Sequence, residues 1–370
     1  MRLRKLHRAW KSLFPKEVDK SPVSRQATIW AIRFFLGRDP LNEAEIRFHR
    51  QHASFVSLRM AFAQTREFKS FYAHQCGGFF RDFVPSFLLR TPDDRRIPWK
   101  FEPPTLADPT SQLCTEAQFA EPLHVEICSE LRENPSILHR KIWEYSWITA
   151  ALLKAGALRP GMRALGFGVG REPLPAFFGK HGVAVVATDA PLEAIDGHGW
   201  ESTGQHAAGL DALRRPLILD NATFDRLVSF EAVDMNKIPE HLQGFDFCWS
   251  ACSLEHLGSI EHGLRFVEES LETLRPGGIA IHTTEFNLSS NNETFEAPTL
   301  SLFRKVDIEK LFSRLIAKGH KPWPLNLHPG TGLADEHIDL PPYANNPHLK
   351  LEVAMHVVTS IGLVVQKGEA

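Results

Sequence analysis

The sequence predicts an α/β fold: a mostly parallel, helix-flanked sheet over residues 111–370, preceded by a smaller all-helical domain. Residues 162–189 read as strand, glycine turn, helix, strand and acid. Short apolar runs and helical stretches then alternate as far as Thr283, the pattern of crossover units in a parallel sheet. Residues 25–75 instead space their apolar side chains by three and four, with no strand-like run. A chain of 370 residues is long for one average domain and suits two.

In chain order, residues 1–24 open with a basic amphipathic segment. Leu3, Leu6, Trp10 and Leu13 form one stripe, Arg2, Arg4, Lys5, Arg8 and Lys11 fill the other face, and Pro15 ends it. Such a helix can lie on an anionic membrane surface or dock on a protein, which allows a location peripheral to the inner face of a membrane. In residues 25–75, Ile29, Ile32, Phe35 and Leu36 make one apolar face. Asn42 is the cap of a second helix, with Glu45 as its capping-box partner. The glycines and prolines of residues 76–110 predict a loop or linker. Helical periodicity resumes from Glu116 to Gly156, and Pro160-Gly161 turns the chain into the sheet.

Met162 to Phe167 is the first buried strand. It enters Gly166-Phe167-Gly168-Val169-Gly170; a helix follows over Leu174 to Lys180, and a second strand over Val183 to Thr188 ends at Asp189. Glycines let backbone approach a ligand, the helix N-terminus offers unpaired N–H groups, and an acid ending the second strand can accept ribose hydroxyls. Two cofactor classes share this geometry. A dinucleotide site wants a third glycine at position 171, where this chain has Arg171, and an open helix N-terminus, where it has Glu172. That carboxylate repels a pyrophosphate but favours a cationic sulfonium, which tips the choice toward S-adenosylmethionine.

Leu227 to Val233, ending at Asp234, and Phe245 to Trp249 are the next strands. Ser253 to Leu257 opens a loop and helix. Gly263 to Leu274 is a helix stopped by Arg275-Pro276-Gly277-Gly278, and Ile279 to Thr283 is a fifth strand. The strings LGFGVG at 165–170, ATDA at 187–190, VDM at 233–235, FDFCWSACSLEHL at 245–257 and LRPGGIAIHTTE at 274–285 together resemble the class I S-adenosylmethionine-dependent methyltransferases. The resemblance implies a Rossmann-like seven-stranded sheet with its last strand antiparallel, for which Leu351–His356 and Ser360–Val365 suit the final pair. It implies that Gly166, Gly168 and Gly170 line the methionine and ribose and that Asp189 takes the ribose hydroxyls. Asp234 and Met235 would meet the adenine, and Ser250 to Ser253 would run under the methionine part. One departure is Ala164, where the family often has an acid; Glu172 is the residue that could compensate. The stretch Phe35-Leu36-Gly37-Arg38-Asp39-Pro40, with Glu43, Phe62 and Arg66-Glu67-Phe68, resembles a small helical module found beside bacterial surface-glycan enzymes.

Transfer to an alcohol needs a base. His256 is the first candidate, with Glu255 beside it and Glu285 at the end of the fifth strand. His139, Arg140 and Lys141 read as a solvated basic stripe in preference to a cofactor flap. The irregular stretch 320–350 offers Trp323, His328, His337, Asp339 and Tyr343 as an acceptor pocket for a sugar. The string Cys248, Cys252 and His256 has zinc-like residue types, but a strand passing into a loop does not bring them together, so no metal is expected. The expected function is O-methylation of a small molecule, glycan or nucleotide-sugar. The alternatives are a catalytically degenerate scaffold and a nicotinamide-dependent oxidoreductase.

Composition sets the outer limits. Apolar residues are 43% and charged residues 23%, which is ordinary for a globular protein. The net charge of −2, and the absence of a basic face on the catalytic part, argue against nucleic acid as partner. Twelve Lys/Arg stand against five Asp/Glu up to Arg50, so the remainder is acidic. Five scattered cysteines argue for a reducing, cytoplasmic setting. No apolar run approaches the length of a membrane span, and no apolar stretch of signal-peptide type follows the basic start.

Overall fold

A computed structural model describes residues 23–36, 38–52, 54–65, 67–68, 84–191, 206–207 and 209–369. The basic amphipathic segment therefore lies almost wholly outside the described residues, as does Cys76. The chain divides into two compact units, residues 1–75 with 340–342 and residues 76–339 with 343–370. Among the described residues, no helix is long and apolar enough to cross a membrane.

The first unit contains α1 (Arg25–Leu36), α2 (Glu43–His49) and α3 (Phe55–Gln64). Val23, Ile32, Leu36, Leu58 and Phe62 form its core, with Phe35 stacked on Phe62. The Asn42 side chain accepts from the Glu45 backbone N–H at 3.0 Å, the expected cap. Glu45 does not return the bond to Asn42. Its carboxylate takes the Leu41 N–H and the Arg38 guanidinium instead, because a charged fork outcompetes one neutral N–H.

In the second unit, the helical stretch after Glu116 is three pieces: a 3-10 turn at Glu116–Ala120, α4 (Pro122–Leu131) and α5 (Arg140–Lys154). Pro122 starts α4 where its missing N–H costs nothing. Trp143 and Trp147 of α5 are fully buried. Part of the stretch read as a linker is built into this unit. Ile97 and Leu106 are buried, and Trp99–Lys100 pairs with Leu325–Asn326, which pairs in turn with Ser111–Gln112. Prolines there break helix but still permit two-residue bridges.

The central strands are β1 (Arg163–Phe167), β2 (Ala184–Asp189), β3 (Val228–Ala232), β4 (Phe245–Ala251), β5 (Leu274–Asn287), β6 (Lys350–Val353) and β7 (His356–Gln366). Their order across the sheet is β6-β7-β5-β4-β1-β2-β3, with β7 antiparallel to both neighbours. This is a Rossmann-like sheet of seven strands with the last one antiparallel, as the resemblance implied. Ile338–Asp339 and Lys321–Pro322 extend it by pairing with β6 and β7. Helices α6 (Leu174–Lys180), α7 (Asn221–Leu227), α8 (Ile260–Ser270) and α9 (Lys305–Ala317) complete the unit. The order reverses between β1 and β4, so a crevice opens at the carboxyl ends of these strands.

Arg275-Pro276-Gly277-Gly278 does not separate helix from strand, as the sequence suggested. It lies inside β5, where the single residue Asp246 of β4 opposes these four of β5 and Gly277 bends the strand at φ +76.

Candidate active site

A cavity of about 700 Å³ lies at these carboxyl ends and runs across the sheet from Asp189 on β2 to Glu285 on β5. Its first wall is the turn after β1. Gly168 sits at φ +55, and a Cβ there would fall 2.8 Å from the Ser253 Cβ and 3.2 Å from the Met235 Sδ. Only glycine keeps this wall open. Gly168 and Gly170 line the cavity and Gly166 does not. A Cβ on Gly166 would meet the Trp249 ring at 2.4 Å, so its lack of a side chain makes room for an indole behind the turn.

Asp189 is buried, and its carboxylate is held by three backbone donors. Oδ2 accepts from Gly170 at 3.2 Å and Ala207 at 2.9 Å, and Oδ1 accepts from Ala190 at 2.8 Å. Burial pushes its pKa up and these N–H groups oppose the shift. His206 beside it donates Nε2–H to the Ala190 carbonyl. Asp234 and Met235 form the next part of the wall, with Asp234 Oδ1 accepting from the Asn236 N–H at 2.9 Å.

Glu172 reaches the cavity from below, and the Trp249 indole donates to it at 2.6 Å. Burial pushes Glu172 up to about 8. The carboxyl is largely neutral at pH 7, which weakens the helix-dipole role available to it at the entry to α6. An ammonium group placed against it would restore its charge.

Ser250 faces the other side of the sheet. Its Oγ bonds His282 Nδ1 at 2.8 Å, and Ser270 Oγ bonds the ring's Nε2 at 3.0 Å. Ser270 gives its own proton to the Val267 carbonyl, so it accepts from Nε2–H, and Nδ1 accepts from Ser250. Burial pushes His282 down to about 3, and it is a satisfied neutral core histidine. Cys248 also turns inward, to the Ser270 carbonyl, so Cys248, Cys252 and His256 do not converge.

The loop after β4 forms the floor. Cys252 adopts φ +50, and its thiol donates to Glu144 at 3.0 Å. The Ser253 Oγ is buried without a partner. Glu255 is buried and accepts from Thr284 Oγ1 at 3.0 Å. His256 stands on the rim, half-buried, with Nδ1–H donating to the Thr299 carbonyl at 2.6 Å. Glu285 is buried. Its Oε1 pairs with Arg140, while its Oε2 has no partner. Burial, then the Glu255 charge, raise Glu285 to about 7 against the pull of Arg140.

Arg140 and Lys141 are not a solvated stripe: both line this cavity. Lys141 bonds Glu144 at 2.7 Å and the Ala251 carbonyl at 3.0 Å. These two cations hold Glu144 down to about 2 although its burial acts the other way. The available signal was positional, since two cations and Glu144 open a helix whose later turns are mostly apolar. Residues 320–350 do not supply the pocket wall. Trp323, His328, His337, Asp339 and Tyr343 are all absent from the cavity lining. Asp339 instead binds the Ala344 and Asn345 N–H groups and His348, and the Tyr343 hydroxyl donates to the Glu352 carbonyl.

Similar folds occur among solved structures. No family model matches the chain, and no curated protein does. The chain is similar to a magnesium protoporphyrin IX methyltransferase from Synechocystis with bound S-adenosylhomocysteine, at 12% identity over 62% of this chain and 83% of that one, TM-score 0.35. A SAM-dependent methyltransferase from Methanosarcina mazei is similar at 13% identity over 59% and 98%, TM-score 0.36. A (4+2)-cyclase is similar at 16% identity over 70% and 100%, TM-score 0.36. At such identities the function rests on the site itself.

Proposed function

We propose that this chain is an S-adenosylmethionine-dependent methyltransferase acting on a hydroxyl of a small acceptor. The observation that carries this reading is Asp189. Its carboxylate is pinned at the end of β2 against a glycine turn that no side chain can enter, and it faces a cavity that continues to a second acidic end.

The residues present fit this cofactor. Asp189 would take the ribose hydroxyls, and Met235 and Asp234, which line the same cavity, would meet the adenine. Glu172 and the orphaned Ser253 Oγ suit the polar methionine end. Glu172 takes the place of the acid missing at Ala164, which is fully buried. When bound, the cofactor supplies a methyl group on a cationic sulfur. The protein's part is to hold the two reactants in line and to exclude water, since the sulfur departs neutral. A glycan or nucleotide-sugar acceptor is supported by the helical N-terminal resemblance, and an uncharged glycan also by the acidic, hydrogen-bonding floor.

Calorimetric titration of the full chain with S-adenosylhomocysteine tests the reading. Micromolar binding in the wild type, abolished in Asp189→Ala, is the expected result. A folded wild type that binds no S-adenosylhomocysteine overturns it; NADH binding instead would point to the oxidoreductase, and neither to a scaffold.

A further inference from the structure

Two buried charge-bearing atoms at the β5 end of the cavity have no hydrogen-bond partner, Nε of Arg140 and Oε2 of Glu285. Oε2 of Glu285 makes no hydrogen bond, while Oε1 of the same carboxyl is fixed by Arg140 from α5. Buried carboxylate oxygens are costly unless paired, so an orphan on a cavity-lining residue marks a place for a donor that arrives from outside. Glu255 approaches from the loop after β4. Ligand-type atoms of Cys252, Glu255 and Glu285 lie within 4.8 Å of one another. The charge of Glu255 acts to raise the pKa of Glu285.

A metal ion fits this group poorly, because the guanidinium of Arg140 already occupies one face of Glu285 and the Cys252 thiol already donates to Glu144. His256, the residue first expected as base, is on the rim, and its Nδ1–H is held by the Thr299 carbonyl.

We propose that Glu285 is the proton acceptor of the reaction, with Glu255 as the neighbour that tunes it and Arg140 as its positioning residue. This rests on the methyltransferase reading. As the acceptor oxygen bonds to the methyl carbon, the sulfur–carbon bond breaks with its electron pair going to sulfur. The hydroxyl proton passes to Oε2 of Glu285. Arg140 holds Oε1, which leaves the lone pairs of Oε2 free to take the proton. The charged and titratable groups facing Glu285 are Arg140 and Glu144 from α5, Cys252, Glu255 and His256 from the loop after β4, and Tyr343. Its balance near neutrality lets it accept a proton and later release it.

The proposal places Glu285 beside the reacting methyl group, so a positive sulfur must drive its proton off. This is measurable without knowing the acceptor. The full chain is titrated at pH 7 with S-adenosylmethionine and with S-adenosylhomocysteine in buffers of different ionisation heat, which counts protons released. The two ligands share their amino, carboxyl and ribose groups, so their difference isolates the sulfonium charge. The wild type is expected to release up to about half a proton more with S-adenosylmethionine. Glu285→Gln should remove that excess while still binding S-adenosylhomocysteine. Glu172→Gln should change the proton count for both ligands alike and leave the excess in place. If Glu285→Gln does not fold, Glu255→Gln decides. Losing a like charge lowers the Glu285 pKa, so the excess should shrink. An excess that is missing in the wild type, or unchanged in the carboxyl variants, overturns the assignment. Failure of both ligands to bind sinks the methyltransferase reading instead.

Discussion

The two ends of the cavity each present a buried carboxyl, and the two are wired in opposite ways. At the β2 end, Asp189 accepts three backbone N–H groups. At the β5 end, Glu285 has one oxygen ion-paired and the other unpartnered. Backbone donors cannot move away or titrate, so Asp189 is a fixed acceptor whose protons are all supplied locally. Glu285 is held by a side-chain cation on one side only. A carboxyl that is satisfied in the empty protein is suited to recognition, and one that is left short is suited to chemistry.

The largest way to break this contrast is to remove the cation. Arg140→Met leaves the buried Glu285 uncompensated and takes one of two cations from Glu144. It should cost about 3–5 kcal/mol in chemical denaturation. Loss of less than about 1 kcal/mol would mean that the pair is not buried as described. Next is Asp189→Asn. Both carboxylate oxygens of Asp189 face N–H groups, so the amide must turn its NH2 against at least one donor. Stability should fall by about 1–3 kcal/mol, and S-adenosylhomocysteine affinity should fall by a similar free energy. The same change at Glu285 meets no backbone donor, and equal damage at both positions would erase the distinction.

The smallest effect is in pH dependence. Glu172 is raised in the folded protein to about 8, above its unfolded value near 4.5. The folded state then binds more protons than the unfolded state between those values. Its contribution is fully present below about pH 4.5 and is lost as pH rises toward 8. Glu172→Gln should flatten the decline of stability with pH by at most about 1.4 kcal/mol per pH unit. An unchanged slope would place the Glu172 carboxyl in water.

Much of the recognition end was legible in the sequence. The apolar run before Gly168, the helix at Leu174–Lys180 and the acid at Asp189 are local patterns, and the elements fall within a residue of their expected bounds. Side-chain facing was harder to read. Ser250 lies one residue before the cavity-lining Ala251, and that single step on a strand turns it to His282 and away from the cavity. Gly166 looked like a ligand-facing glycine, but the ring it accommodates, Trp249, is eighty-three positions away. The chemical end was less legible still. Arg140 meets Glu285 only because α5 packs against the β5 edge of the crevice, a contact with no local sequence signal. The prolines and aromatics after residue 320 suggested a sugar pocket, whereas the polar groups of Asp339, Tyr343 and His348 bond to one another and to nearby backbone.

The position of β5 has a consequence for exchange with solvent. From Ile279 to Asn287 this strand is flanked by β7 on one side; on the other it is flanked by β4 as far as Thr283 and then by the Phe303 backbone, which bonds to Glu285 and Asn287. Amides in such a doubly flanked, buried strand open only with the whole domain, and they should be the last in the chain to take up deuterium. Glu285 is carried on that strand. Its environment therefore does not loosen by degrees as the protein is weakened. Mild destabilisation elsewhere lowers the fraction of intact molecules and leaves each intact molecule with the same carboxyl in the same surroundings.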